Sequence, residues 1–168
     1  MGFLLRQETP ADIPAIHALT QAAFLDAPHA AHTEHFIVDA LREAGALSMS
    51  LVAEDGGVVV GHVAVSPVSV PGAASGWYGL GPISVAPGRQ RQGIGSKLMR
   101  EVLRQLEAKG ACGCVLVGDP AYYGRFGFKH QSGLVFPGLP PEYFLVIAFS
   151  SPVPQGAVKF HPAFDAKG

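Results

Sequence analysis

Gly93 and Gly95 stand among cations in the stretch GRQRQGIGSK, residues 88–97. Arg89, Arg91 and Lys97 flank them, and a helical apolar pattern begins directly behind. A glycine-rich turn that opens a helix gathers free N–H groups, and the helix dipole adds partial positive charge to them. Such a turn is a cradle for phosphate. Glycine leaves room for close approach to the backbone, and the neighbouring cations add attraction. The anion site is local, because the whole chain carries a net charge of −1 and a pI of about 6.6. That balance excludes a general nucleic-acid binder, which would show a strongly basic domain.

The spacing narrows the ligand. The loop lacks the G-x-x-x-x-G-K-[ST] pattern of a nucleoside-triphosphate loop. It also fails the dinucleotide pattern G-x-G-x-x-G, because Leu98 stands where the third glycine belongs. What remains is QRQGIG, Gln90–Gly95, a Q/R-x-x-G-x-G turn. Around it, LGPISVAPGRQRQGIGSKLM (residues 80–99) gives an apolar strand, a proline-containing turn, the loop and an amphipathic helix. Downstream lies YYGRFGF, Tyr122–Phe128. With both motifs in this order, residues 3–150 resemble the GNAT superfamily of acyl-CoA-dependent N-acetyltransferases, the second motif matching that family's FYxxxGF turn.

The resemblance implies an N-acetyltransferase that moves an acetyl group from acetyl-CoA to a primary amine by direct attack in a ternary complex. No metal is implied. Such a transfer needs a polarised carbonyl, a neutral amine, a donor for the oxyanion and a proton for the leaving thiolate. Carried over residue by residue, the backbone of Ile83, Ser84 and Val85 in GPISV holds the pantetheine arm and acyl group, with Gly81 and Pro82 at a splay between parallel strands. The N–H groups of Arg91, Gln92, Gly93, Ile94, Gly95 and Ser96 face the pyrophosphate, with Gln90 opening the turn. Tyr123, four residues before the GF pair, is the implied general acid near the cofactor sulfur. A phenol keeps its proton at neutral pH, its pKa lying above that of a thiol. Tyr122 is its local competitor.

The general base does not carry over. Some members place a glutamate on the strand before the loop, but WYGLGPISV has no carboxylate. Asp26, Glu34 and His35 lie where the family builds its acceptor wall, and each also reads as an ordinary solvated or capping residue. Positioning alone could supply much of the rate. The missing carboxylate keeps open a non-catalytic acyl-CoA sensor on the same fold. A phosphate-binding hydrolase or nucleotide-binding protein is a further alternative, without a Walker lysine or a magnesium-binding cluster to support it.

The rest of the chain must position these residues. FLLRQE reads as a first strand. TPADIPAIHALTQAAF reads as a helix with Thr9 as N-cap, and TEHFIVDALREAG as a second helix stopped by Gly45. SMSLVAE and VVVGHVAVSPV alternate like strands joined at Asp55–Gly57, a hairpin signal. Gly79, Gly81 and Pro82 should break the ladder of WYGLGPISVAP. A helix follows from Gly93 to Lys109, then a buried strand CGCVLVGD, a turn PAYYGRFG, a strand starting at FKHQ, a last long strand YFLVIAF and an edge strand in AVKF. The final residues should be loose. The expected fold is a mixed α/β sheet of GNAT type, mostly antiparallel with one splayed parallel pair and flanked by helices. Residues 1–168 form one domain, with 151–168 as a C-terminal extension.

Other features read plainly. Apolar residues make up 48% and charged residues 15%, enough for a sizeable core. The longest apolar run, Tyr143–Phe149, is too short to span a bilayer, and MGFLLRQETP has no basic stretch before an apolar one, so the expectation is a cytoplasmic protein without membrane partners. The apolar tail and last strand could supply a homodimer contact. Cys112 and Cys114 are too close for an unstrained bridge. His29, His32 and His35 are spaced by three, but Pro28 interrupts any shared helix. His62 reads as a core-edge histidine with a partner, Trp77 and Tyr78 as packing aromatics that could instead line the acceptor pocket, and Arg125 as a surface residue of the turn that could also reach a cofactor phosphate.

Overall fold

The computed structural model describes residues 2–27, 30–73, 75–150 and 152–168. In chain order come β1 (Leu4–Gln7), α1 (Ile13–Phe24), α2 (Glu34–Glu43), β2 (Met49–Asp55), β3 (Val58–Pro67) and β4 (Trp77–Val85). They are followed by α3 (Ile94–Ala108), β5 (Gly113–Val117), α4 (Pro120–Tyr123), β6 (Leu134–Val135), β7 (Phe144–Ala148) and β8 (Gly156–Ala157). Six strands hydrogen-bond in the order β1-β2-β3-β4-β5-β7, and β6 pairs with β8 in a small second sheet. This is the mixed α/β fold expected.

Contacts group the chain into two compact units: Met1–Val65 with Gly81–Val102 and Pro162–Gly168, and Ser66–Leu80 with Leu103–His161. In the first unit β1, β2 and β3 are antiparallel neighbours. The β2–β3 hairpin closes with Asp55 opposite Val58, so the turn is Gly56-Gly57, at φ 59° and 87°. Both angles favour glycine, as the DGG signal required. β2 is apolar and buried along most of its length, as suits a strand covered on both faces. On one face Val52 packs with Ile16 of α1 and Val38 of α2. On the other face α3 lies directly on Gly61: a Cβ there would meet Ile94 Cγ2 at 2.7 Å and Leu98 Cδ1 at 3.0 Å. The position of the loop-bearing helix thus depends on a missing side chain in β3.

In the second unit β4 and β5 run parallel, pairing Trp77–Gly113, Tyr78–Cys114 and Gly79–Val115. The registered pairs end at Gly79, two residues before Gly81 (φ 133°) and the cis Gly81–Pro82 bond. The glycines and proline of this strand break the ladder where the sequence suggested. β5 is antiparallel to β7. Their core contains Trp77, Val115, Phe144 and Val146, with Leu134 of β6 and Val158 just after β8.

Several expectations need correction. FKHQ forms no strand; only Lys129 bridges to Val146. The strand in AVKF shrinks to Gly156–Ala157, paired in parallel with β6. The C-terminus is not loose: Pro162–Asp165 form a 3-10 turn, and Ala163 and Phe164 pack on Ile37, Leu41 and Ala46. The first helix opens with a 3-10 turn, Pro10–Asp12, before α1. Asp12 accepts from the Thr9 N–H at 2.7 Å and pairs with Arg6 at 2.7 and 3.0 Å, which holds its carboxyl well below the usual carboxylate range. No helix among the described residues is long and apolar enough to cross a membrane.

Candidate active site

β4 leads into a 3-10 turn, Pro87–Arg89, and then into the glycine loop. Arg91 and Gly93 adopt φ 65° and 85°, left-handed geometry that turns the backbone sharply just ahead of α3. The space around Gly93 is open: a Cβ there would have nothing within 4 Å. Behind the turn, Ile94 is 1% exposed and anchors it to the core, so only its main chain can face a ligand. Burying such a side chain is worth about 1.5–3 kcal/mol. Arg91, Gln92 and Gly93 are exposed, and Gly95 and Ser96 half-buried.

The cations divide their work. Arg89 donates to Gln92 Oε1 at 2.9 Å and pairs with Asp55 of the hairpin turn at 2.9 Å, so it braces the loop. Lys97 Nζ lies 5.7 Å from the centre of the Phe3 ring. Arg91, like Lys97, pairs with no carboxylate among the described residues. The Gln90 side chain reaches the Val85 carbonyl at 3.5 Å. Along β4, Ile83 and Val85 are half-buried, whereas Ser84 is 2% exposed and its hydroxyl has no partner.

In the other unit Asp119 caps α4, its carboxylate accepting from the Ala121 N–H at 2.9 Å. Gly127, at φ 100°, closes the next turn. Tyr122 and Tyr123 meet edge to face at 4.8 Å, with Phe126 and Phe128 around Tyr123. Burial, then the neighbouring Tyr122, pushes the Tyr123 phenol up to about 12. It therefore stays protonated at neutral pH. Arg125 donates to the Tyr122 carbonyl at 3.0 Å and covers the Tyr122 ring at 4.5 Å, which ties it to the turn.

The histidine series does not share a helix. His29 lies outside the described residues, His32 precedes α2 at φ 63°, and only His35 is helical. No group of three or more metal-ligating side chains occurs among the described residues. Glu34 does not cap α2: it is the helix's first residue and accepts from the Ala31 N–H, ahead of the helix, at 3.0 Å, while Asp26 is exposed. His35 is not solvated as expected: it is 4% exposed, its ring tilted against Phe36 at 4.0 Å and edge-on to His17. Burial, then His17, lowers its pKa. His17 in turn lies 2.7 Å from Asp39. Cys114 is a buried free thiol whose pKa burial raises strongly.

One constellation escaped sequence reasoning. Arg42 donates to both carboxylate oxygens of Glu8, at 2.8 and 2.9 Å. Ser50 donates to Glu8 and lies 2.8 Å from His62 Nε2. Burial opposes the Glu8 charge, but Arg42 and Ser50 outweigh it and lower its pKa. His62 is fully buried, not at a core edge, and burial pushes it down to about 4. These four residues are spread over residues 8–62, and no spacing rule joins them.

Known proteins agree with this architecture. Residues 5–131 match the model of the acetyltransferase (GNAT) domain family. The chain is 41% identical over 127 residues to the uncharacterized N-acetyltransferase YhbS of Escherichia coli K12, covering 75% of this chain and 73% of that one. A crystal structure of a GNAT family acetyltransferase from Brucella melitensis in complex with acetyl-CoA superposes with a TM-score of 0.87 at 51% identity, covering 98% of this chain and 99% of the other. YhbS from Escherichia coli in complex with CoA gives a TM-score of 0.88 at 36% identity, over 99% and 93% of the two chains. The chain belongs to the GNAT family of N-acetyltransferases.

Proposed function

We propose that this enzyme takes acetyl-CoA as donor and a primary amine as acceptor, with transfer by direct attack in a ternary complex. The observation that carries the reading is the loop Gln90–Ser96. Left-handed Arg91 and Gly93 clear its main chain for an anion, Gly93 faces open space, and Ile94 fixes the turn to the core. A diphosphate fits that cradle by charge and by shape. Relatives solved with acetyl-CoA and with CoA support the same ligand.

The group supplies an activated acetyl thioester when bound. The residues around it do the rest. N–H groups of residues 91–96 bind the diphosphate, and Arg91 adds a positive charge. The main chain of Ile83–Val85 orients the acyl end. Tyr123 holds its proton at the phenol oxygen and donates a hydrogen bond to the sulfur as negative charge grows there. Full transfer from so weak an acid to a thiolate is uphill, so stabilisation through the hydrogen bond is the larger part of its role.

The test is thiol release from acetyl-CoA with a panel of primary amines, run beside calorimetry with CoA. CoA binding and amine-dependent thiol release are the expected results. A protein that binds CoA and never releases thiol with any amine contradicts the reaction assigned here.

A further inference from the structure

We propose that His62 is a positioning residue for the acyl-holding part of β4: its Nδ1 accepts the Ser84 hydroxyl proton and so ties Ile83–Val85 to the half-buried Glu8–Arg42 pair. The functional part of this proposal rests on the reading that the Ile83–Val85 main chain holds the cofactor.

The polarity of the chain follows from charge. Arg42 fixes Glu8 as a carboxylate, which can only accept. Ser50 must therefore spend its one proton on Glu8. Its oxygen can then only accept from His62 Nε2, at 2.8 Å. A neutral imidazole carries one proton, so with Nε2 protonated Nδ1 is an acceptor. Burial keeps His62 neutral at pH 7.

That acceptor is buried and has no partner. Neither has the Ser84 hydroxyl, equally buried on the adjoining strand. The register brings them together. The Ala86 N–H bonds to the Val60 carbonyl at 2.9 Å, and the Val68 N–H to the Trp77 carbonyl at 3.1 Å, so β3 and β4 are antiparallel. Counting inward from the first bond sets Ser84 across from His62. Residues so opposed share a sheet face with Cβ atoms about 4.5–5.5 Å apart. A serine hydroxyl turning about χ1 reaches an imidazole Nδ1 over that gap. Ile83 and Val85, on either side, point the other way and are half-exposed. The link thus grips β4 from behind the face that would meet the acyl group.

The experiment is ¹⁵N NMR of the histidine side chains in the full chain, with steady-state kinetics and CoA calorimetry on the same samples. Wild-type His62 should be the neutral Nε2–H tautomer with a hydrogen-bonded Nδ1. Ser84→Ala should shift the Nδ1 resonance, and Ser50→Ala should erase the tautomer preference. Ser84→Ala should lower kcat about three- to tenfold at unchanged KM for acetyl-CoA, as loss of one neutral hydrogen bond implies, and Ser84→Thr should restore it. An Nδ1 resonance that Ser84→Ala leaves unmoved, in protein that binds CoA, overturns the link. A shifted resonance with unchanged kcat overturns the positioning role. Wild-type protein that binds no CoA overturns instead the cofactor reading, while the tautomer measurement still judges the link on its own.

Discussion

The ring of Tyr123 rests on Gly118, where a Cβ would lie 2.8 Å from Tyr123 Cδ2 and closer still to Cε2. The glycine ending GCVLVG is a seat for the proposed proton donor. Gly118→Ala should displace the phenol. We expect kcat to fall on the order of tenfold to a hundredfold, the cost of moving a reacting group by about an ångström. CoA affinity should be unchanged, because the glycine loop proposed to bind the diphosphate is untouched. Thiol-release kinetics with calorimetry check it, and an unchanged kcat contradicts the placement.

Tyr123→Phe should lower kcat about a hundredfold or more, the lower end of what a positioned acid contributes. Because the phenol is pushed up to about 12, the wild-type pH profile should show no loss from Tyr123 between pH 7 and 10. A basic limb that vanishes in Tyr123→Phe would contradict the protonated phenol.

Acid should destabilise the fold through His62. Its folded pKa is about 4 against 6.5 when unfolded, so below pH 6.5 the unfolded chain binds a proton that the native state refuses. Stability from this residue is complete above pH 6.5 and is lost as pH falls to about 4. The linkage is on the order of 3 kcal/mol. His35, also lowered by burial, adds to the loss in the same direction as pH falls below 6.5. Urea unfolding at pH 7.5 and 4.5 should show a smaller pH dependence in His62→Gln than in wild type. An equal dependence contradicts the buried neutral imidazole.

Arg91 contributes both a left-handed backbone and a cation that pairs with no carboxylate among the described residues. Arg91→Gly keeps the backbone and removes the charge. CoA affinity should fall about tenfold, the weight of a charge-assisted hydrogen bond. The loss should shrink at high salt, since exposed charges are screened. Titrations at two salt concentrations read this directly, and an affinity that Arg91→Gly leaves intact removes the side chain from the cofactor site.

What was legible in the sequence was local. The glycine loop, the DGG hairpin and the break in β4 each depend on residues a few positions apart, whose backbone geometry glycine and proline restrict. The YYGRFGF turn was legible for the same reason. What was hidden depends on long-range packing. Gly61 reads as an ordinary strand glycine until α3 lands on it. Glu8, Arg42, Ser50 and His62 become neighbours only when β1, α2, β2 and β3 assemble. FKHQ looked like a strand because Phe128 is apolar, but Phe128 is buried beside Tyr123 and leaves one bridge at Lys129. The tail looked loose for its prolines and glycines, yet Phe164 has a cluster on α2 to cover.

The central claim is that the main chain opening α3 binds the diphosphate of CoA, and Gly93→Asp tests it most directly. Aspartate tolerates the left-handed backbone at a cost of about 1–2 kcal/mol, so the protein should still fold. It would place a carboxylate in the open space at Gly93. Calorimetry should find CoA binding in wild type and none in Gly93→Asp, with the thermal transition of both proteins intact. Equal affinity in the two would contradict the account.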